Sequence, residues 1–220
     1  MIINKKDYTR IVGLICIILV FAGCKKVDDY LNKAESGGET EQQIFGNYVQ
    51  TEAFLTDIYA TGIGSGDWLI VNNAFTFTAA TDDARCQYNY AYAPGSFTNG
   101  TLSPTNNPID VWAKQYQNIR KVNNLLVHID GVPPSDDPNK KDGKTRIKGE
   151  AYFLRAFFYL ELYKRYGAVP IVKYHLAIDD NLNIARSTDD ELVSFVVGDC
   201  DSAALLLPLT YTADNLGRAT

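Results

Sequence analysis

Apolar positions recur at three- and four-residue spacing in four stretches of the chain, and the period is lost in one long stretch between the first and the second. The first stretch runs from about Thr40 to Thr61, with Ile44, Tyr48, Leu55 and Ile58 on one face and Thr40 and Gln43 at capping-box spacing. The second carries Ile109, Trp112, Tyr116, Ile119, Val122, Leu126 and Ile129 behind Asn107 and Pro108, which supply an N-cap and a first-turn proline. The third, roughly Thr145 to Tyr166, holds most of "GEAYFLRAFFYLELYKRYGAVPIV" and stops at Gly167, with Pro170 shortly beyond. A fourth begins at Thr188, with Glu191 at capping-box spacing, and continues through Leu192, Phe195, Val196, Ala203 and Leu206 to Pro208. Four helices are therefore expected in an all-α fold, paired as in solenoid repeats, although no internal repeat is visible in the residues. A helix that is apolar on nearly every face is buried among neighbours, so the rings of the third helix are expected in the core.

The stretch from Asp67 to Asn107 mixes short β-prone pieces with Asn, Gly, Pro and Thr, and its aromatic content argues against disorder. Loops of this length in compact domains are usually functional. A sugar ring offers an apolar C–H face and a rim of hydroxyls, so its binder needs aromatic faces flanked by short polar groups. Trp68, Tyr88, Tyr90 and Tyr92 supply the rings, and Asn73, Asp82, Asp83 and Arg85 the polar groups. In an extended segment the three alternating tyrosines would share one side and form a stacking strip. The same alternation would equally bury them with their hydroxyls satisfied.

The N-terminus reads as an address. Lys5, Lys6 and Arg10 precede thirteen uncharged residues, the length of a signal-peptide apolar region, and "VFAGC" then resembles the lipobox of bacterial lipoproteins. The expected organisation is a signal peptide over 1–23, a lipidated tether over 24–38 beginning at Cys24, and a helical body over 39–220; a plain secretory signal is the alternative. Lipid on Cys24 would tether the protein to a membrane without spanning it. Loss of residues 1–23 removes three positive charges and one negative one, taking the formal net charge from −5 to −7. Cys86 and Cys200 would then be the only thiols able to pair, which makes no disulfide framework.

Charge and motifs narrow the chemistry. With a net charge of −5 and no basic run, the chain has no electrostatic grip on nucleic acid. Its two histidines, His128 and His175, lie far apart and away from cysteine, which leaves little for a zinc site or a Cys/His pair. No Gly-rich phosphate loop and no Gly-x-Ser-x-Gly occurs. Asp82 and Asp83 are adjacent, so in a strand they point apart, and Glu150 and Glu161 stand three helical turns apart; neither makes the convergent pair that glycoside hydrolysis needs. "DDNLNIARSTDD", 179–190, begins like a calcium loop at Asp179, Asn181 and Asn183, but Ile184 replaces the turn glycine and Asp190 the bidentate Glu. No enzyme, cofactor or metal is expected.

"GEAYFLRAFFYLELYKRYGAVPIV" and "RSTDDELVSFVVGDCDSAALLLP", with the lipobox, the "TDD" at 81–83 and "VWAKQYQNIRKVNNLL", resemble landmarks of the SusD/RagB family in the same order. These are surface lipoproteins of Bacteroidetes that bind nutrients, mostly glycans. The resemblance implies tetratricopeptide-like helix pairs, an outer-membrane location and partnership with a SusC-like TonB-dependent transporter that takes up the captured oligosaccharide. Members are longer and continue beyond the "LGRAT" point, so a C-terminal region of the family is expected to be absent here. A scaffold making protein contacts only, or less readily a glycosidase component, is the competing reading.

Overall fold

The structure, a computed structural model, describes residues 39–63, 70–71, 75–76, 80–83, 92–137, 140, 143–176, 179–211 and 215–220, with 70–71, 75–76 and 92–94 described as backbone only. From Glu41 onward most of these are helical. The first periodic stretch is two helices, α1 (Glu41–Phe45) and α2 (Tyr48–Gly62), and not the single helix its spacing predicts. Asn47 is extended (φ −140°, ψ 129°), and its Oδ1 accepts the N–H groups of Val49 and Gln50 at 2.8 and 3.3 Å, capping α2. The Thr51 hydroxyl bridges the break, lying 2.9 Å from both the Ile44 and the Asn47 carbonyl oxygens.

The long irregular stretch contains a short antiparallel pair, β1 (Ile70–Val71) with β2 (Phe75–Thr76), Ile70 opposite Thr76 and Val71 opposite Phe75. It also contains a seven-residue helix, α3 (Tyr92–Thr98), which the sequence pattern does not announce. Next, α4 (Trp112–His128) has Val111 and not Asn107 as its N-cap. Asn107 and Pro108 belong to a turn instead, in which Asn107 Oδ1 accepts from Ile109 N–H (3.2 Å) and its carbonyl from Asp110 N–H (3.2 Å). A 3₁₀ turn at Ile129–Gly131 follows.

Helix α5 (Gly143–Tyr166) packs against α2, α4 and α6 (Asp189–Leu206), which explains why it is apolar nearly all round. Leu55 and Ile58 of α2, Ile119, Val122 and Leu125 of α4, Ile147, Leu154, Phe158 and Leu162 of α5, and Leu192 of α6 are all at most 1% exposed. Phe158 and Tyr159 are core, while Phe153, Phe157, Tyr163 and Tyr166 pack partly buried against it. Gly167 ends α5 in the left-handed region (φ +68°), where a Cβ would be strained. The capping box of α6 forms as its spacing predicts: Thr188 Oγ1 accepts from Glu191 N–H, and the Glu191 carboxylate from Thr188 N–H.

Candidate functional site

Of the expected ligand-binding residues, Asp82 and Asp83 are exposed on a turn in which Thr81 Oγ1 accepts from Asp83 N–H at 3.2 Å. Tyr92 opens α3, so it does not continue an extended strip with its neighbours. Trp68, Asn73, Arg85, Tyr88 and Tyr90 lie outside the described residues, as do Cys24 and Cys86. Cys200 is a free, exposed thiol whose pKa is pushed up by partial burial and by the carboxylates of Asp199 and Asp201.

The stems that hold this insertion are well defined, and both rest on α5. Gly62, the last residue of α2, lies so close to Phe158 that a Cβ there would sit 2.4 Å from two ring carbons. At the other stem, the Tyr166 hydroxyl donates to Asp110 Oδ1 and accepts the N–H groups of Val111 (2.8 Å) and Trp112 (3.1 Å). A phenol from the end of α5 thus caps the start of α4, which lacks a side-chain cap from its own N-cap residue. Burial raises the Tyr166 pKa and the hydrogen bond to Asp110 raises it further, so the phenol stays neutral and donates.

Beside this stem lies an open cleft of about 800 Å³. Phe97 and Leu102 give it an apolar side, and Asn107, Asp110, Lys164 and Tyr166 give it polar ones. Short polar residues next to the lining fix its backbone locally. Asn99 Oδ1 accepts from the backbone and hydroxyl of Thr101 at 3.0 and 2.8 Å, and Ser103 pairs with Asn106 through two backbone bonds. An apolar side opposite hydroxyls, an amide, an ammonium and a carboxylate suits a hydroxyl-rich ligand with a C–H face.

Among the described residues, the buried carboxylates are all engaged in ion pairs. Glu150 is paired with Arg146 and Arg218, Glu161 with Lys164 and Arg165, and Asp199 with Arg155. Among the described residues no group of His, Cys, Asp and Glu is arranged to hold a metal ion. In the stretch resembling a calcium loop, Asn181 Oδ1 instead accepts from Asn183 N–H at 2.9 Å, a local turn.

One buried polar cluster is absent from the expectations. Arg155 donates from Nε and Nη2 to the two oxygens of Asp199 (2.7 and 2.8 Å) and from Nη1 to Asn123 Oδ1 (2.8 Å). Asn123 Nδ2 in turn donates to the carbonyls of Val172 (2.9 Å) and Tyr174 (3.1 Å), and Tyr159 bonds Val172, so the segment after α5 is fixed to α4, α5 and α6. The available signal is a charge or amide standing at core-facing positions of three helices, which calls for a partner.

A family profile described as SusD-like, starch-binding and associating with the outer membrane matches residues 29–220. A curated SusD-like protein of Formosa agariphila is 27% identical over 111 residues, which is 50% of this chain and 20% of that protein. A solved SusD-like protein of Bacteroides fragilis is 26% identical with a TM-score of 0.61, covering 83% of this chain and 34% of its own. A solved SusD-like carbohydrate-binding protein of the same species is 25% identical with a TM-score of 0.64, covering 80% of this chain and 35% of its own. The chain thus spans about a fifth of that curated relative and about a third of the two solved chains. The helical architecture is the tetratricopeptide-like one of these relatives, and with its profile matched from residue 29 to 220 the chain belongs to the SusD-like family.

Proposed function

We propose that the chain is the helical, glycan-capturing part of a lipoprotein held at the outer membrane through Cys24, passing oligosaccharide to a SusC-like TonB-dependent transporter. The observation that carries this is the profile match across residues 29–220 to a family described as starch-binding and outer-membrane associated. The carbohydrate-binding relative of Bacteroides fragilis supports the ligand class. The insertion between α2 and α4 is the ligand-contacting element, with Trp68, Tyr88, Tyr90 and Tyr92 as stacking faces and Asn73, Asp82, Asp83 and Arg85 as polar contacts. Function is capture without bond cleavage, and the engagement of Glu150, Glu161 and Asp199 in ion pairs agrees with that.

Affinity electrophoresis through gels containing single polysaccharides tests the reading. Retardation in at least one gel is expected, and Trp68→Ala with Tyr90→Ala should reduce it by about tenfold in apparent affinity, given the worth of aromatic contacts. Absence of retardation by every glycan, together with co-purification of a transporter, would convert the reading to a protein-contact scaffold. For the anchor, Cys24→Ala should abolish incorporation of labelled fatty acid.

A further inference from the structure

A second cavity, of about 380 Å³, opens where α4 meets the segment after α5, and it shares no lining residue with the cleft beside the insertion. Tyr116, Ile119 and Arg120 reach it from one face of α4 at three- and four-residue spacing. Val172 and Tyr174 reach it from the extended segment. Ile119 and Val172 are buried and form an apolar floor, whereas Tyr174 and Leu182 are 55% and 70% exposed at the opening.

The walls are held in place by bonds from several of their polar atoms. The Tyr116 hydroxyl donates to the Pro170 carbonyl at 2.7 Å, and the Val172 and Tyr174 carbonyls accept from Asn123. The lining that remains is aliphatic surface, two tyrosine rings, the Tyr174 hydroxyl and one guanidinium.

That guanidinium is the informative group. Each other described arginine has a protein partner: Arg146, Arg155, Arg165 and Arg218 hold carboxylates, and Arg186 holds the Tyr166 carbonyl. Arg120 alone among them makes no hydrogen bond or ion pair with any described residue. Pockets of this size, mostly apolar with few polar groups, are typical of small-molecule sites. A planar fork of N–H donors matches a carboxylate two bonds at a time.

We propose that this pocket binds a small carboxylate with an apolar face, its carboxylate paired with Arg120 and its ring or branched alkyl body on the apolar floor. Two sources share that chemistry: a free aryl carboxylate, or a hexuronate of an acidic glycan. The proposal stands on α4 and the segment after α5, independently of the insertion and of the glycan reading built on it.

Saturation-transfer NMR on the purified chain tests it, with benzoate, benzamide, glucuronate and glucose as probes. Benzoate should bind about tenfold more tightly than its neutral isostere benzamide, the discrimination expected of one charge-assisted pair. Arg120→Gln should bring benzoate down to the benzamide level, and Leu182→Glu, which places a carboxylate at the mouth, should weaken benzoate by a similar factor. Both positions are exposed, so unchanged thermal melts show that the variants fold. Glucuronate binding that is lost in Arg120→Gln assigns the site to an acidic sugar, and benzoate binding without it assigns the site to free aryl acids. Trp68→Ala should leave all of these titrations unchanged while weakening glycan retardation, which separates this site from the insertion. Failure of both acids to bind, or binding of Arg120→Gln as tight as wild type, would overturn the proposal.

Discussion

Two of the buried charge clusters on helix α5 are built differently. At one, Arg155 and Asp199 face each other across the α5–α6 contact, 8% and 6% exposed, with both carboxylate oxygens engaged by one guanidinium. The Arg155 guanidinium also lies 5.1 Å from the Phe195 ring centroid. At the other, Glu150 is fully buried and shared between Arg146 and Arg218, while Arg146 also reaches Glu52, which Lys140 pairs at 2.8 Å. Arg218 donates onward to Thr56 Oγ1 at 3.0 Å, and Ala219 N–H to the Tyr59 hydroxyl at 3.1 Å, so residues 218–219 are gathered over α2. As charges, Arg155 and Asp199 form a closed pair, the guanidinium's remaining donor going to the neutral Asn123, whereas the second cluster is a chain of charged partners reaching toward solvent. A closed buried pair fails completely when either half is removed, and a branched one fails by degrees.

The largest expected effect is therefore Asp199→Ala, which leaves Arg155 buried without its counter-charge. Unfolding by urea should show a loss of about 3–5 kcal/mol. The double change Arg155→Met with Asp199→Leu should recover part of that loss, because apolar replacement of a buried pair is often near neutral while the buried Asn123 Oδ1 loses its donor. If the single variant lost under about 1 kcal/mol, the pair would not be the closed unit described here. A smaller effect is expected for Arg218→Ala. Glu150 keeps Arg146, so the loss should be about 2 kcal/mol, the scale of one charged hydrogen bond.

The smallest effect is confined to acid. Burial acts to raise the pKa of Glu52, but the hydrogen bond from Lys140 and the charges of Arg146, Lys140 and Arg218 outweigh it and bring it below the ordinary 4.5. A carboxyl depressed in the folded state contributes stability above 4.5, and that contribution is lost as pH falls from 4.5 through the lower folded value. Glu52→Gln should flatten the fall in melting temperature over that window and leave the slope above it unchanged. An unchanged acid limb would mean that the branched cluster carries no titrating load at Glu52.

The helical frame was readable wherever local chemistry and packing agree. Thr188 and Glu191 state the start of α6, Gly167 the end of α5, and the apolar circumference of α5 its central place. Reading failed where a partner distant in sequence decides. Asn107 and Pro108 look like a helix start, yet Tyr166, more than fifty positions later, sets it at Trp112. The period of α1 and α2 runs across Gly46 and Asn47, and only the extended backbone of Asn47 and its two side-chain bonds reveal a break. The cluster of Arg155, Asn123 and Asp199 went unread, because which polar positions meet inside depends on how three helices pack. For the candidate site, alternation could not decide the tyrosine strip: Tyr92 lies in α3.

The contacts of Gly62 with Phe158 and of Tyr166 with Asp110, Val111 and Trp112 have an evolutionary consequence. Both feet of the insertion stand on one helix, so α5 fixes where the chain leaves the frame and where it returns. For a flexible segment between fixed ends, doubling the length adds only about 0.6 kcal/mol of closure entropy. Segments of other lengths and compositions can therefore be exchanged between those two feet at little cost to the frame, which makes this junction a natural grafting point.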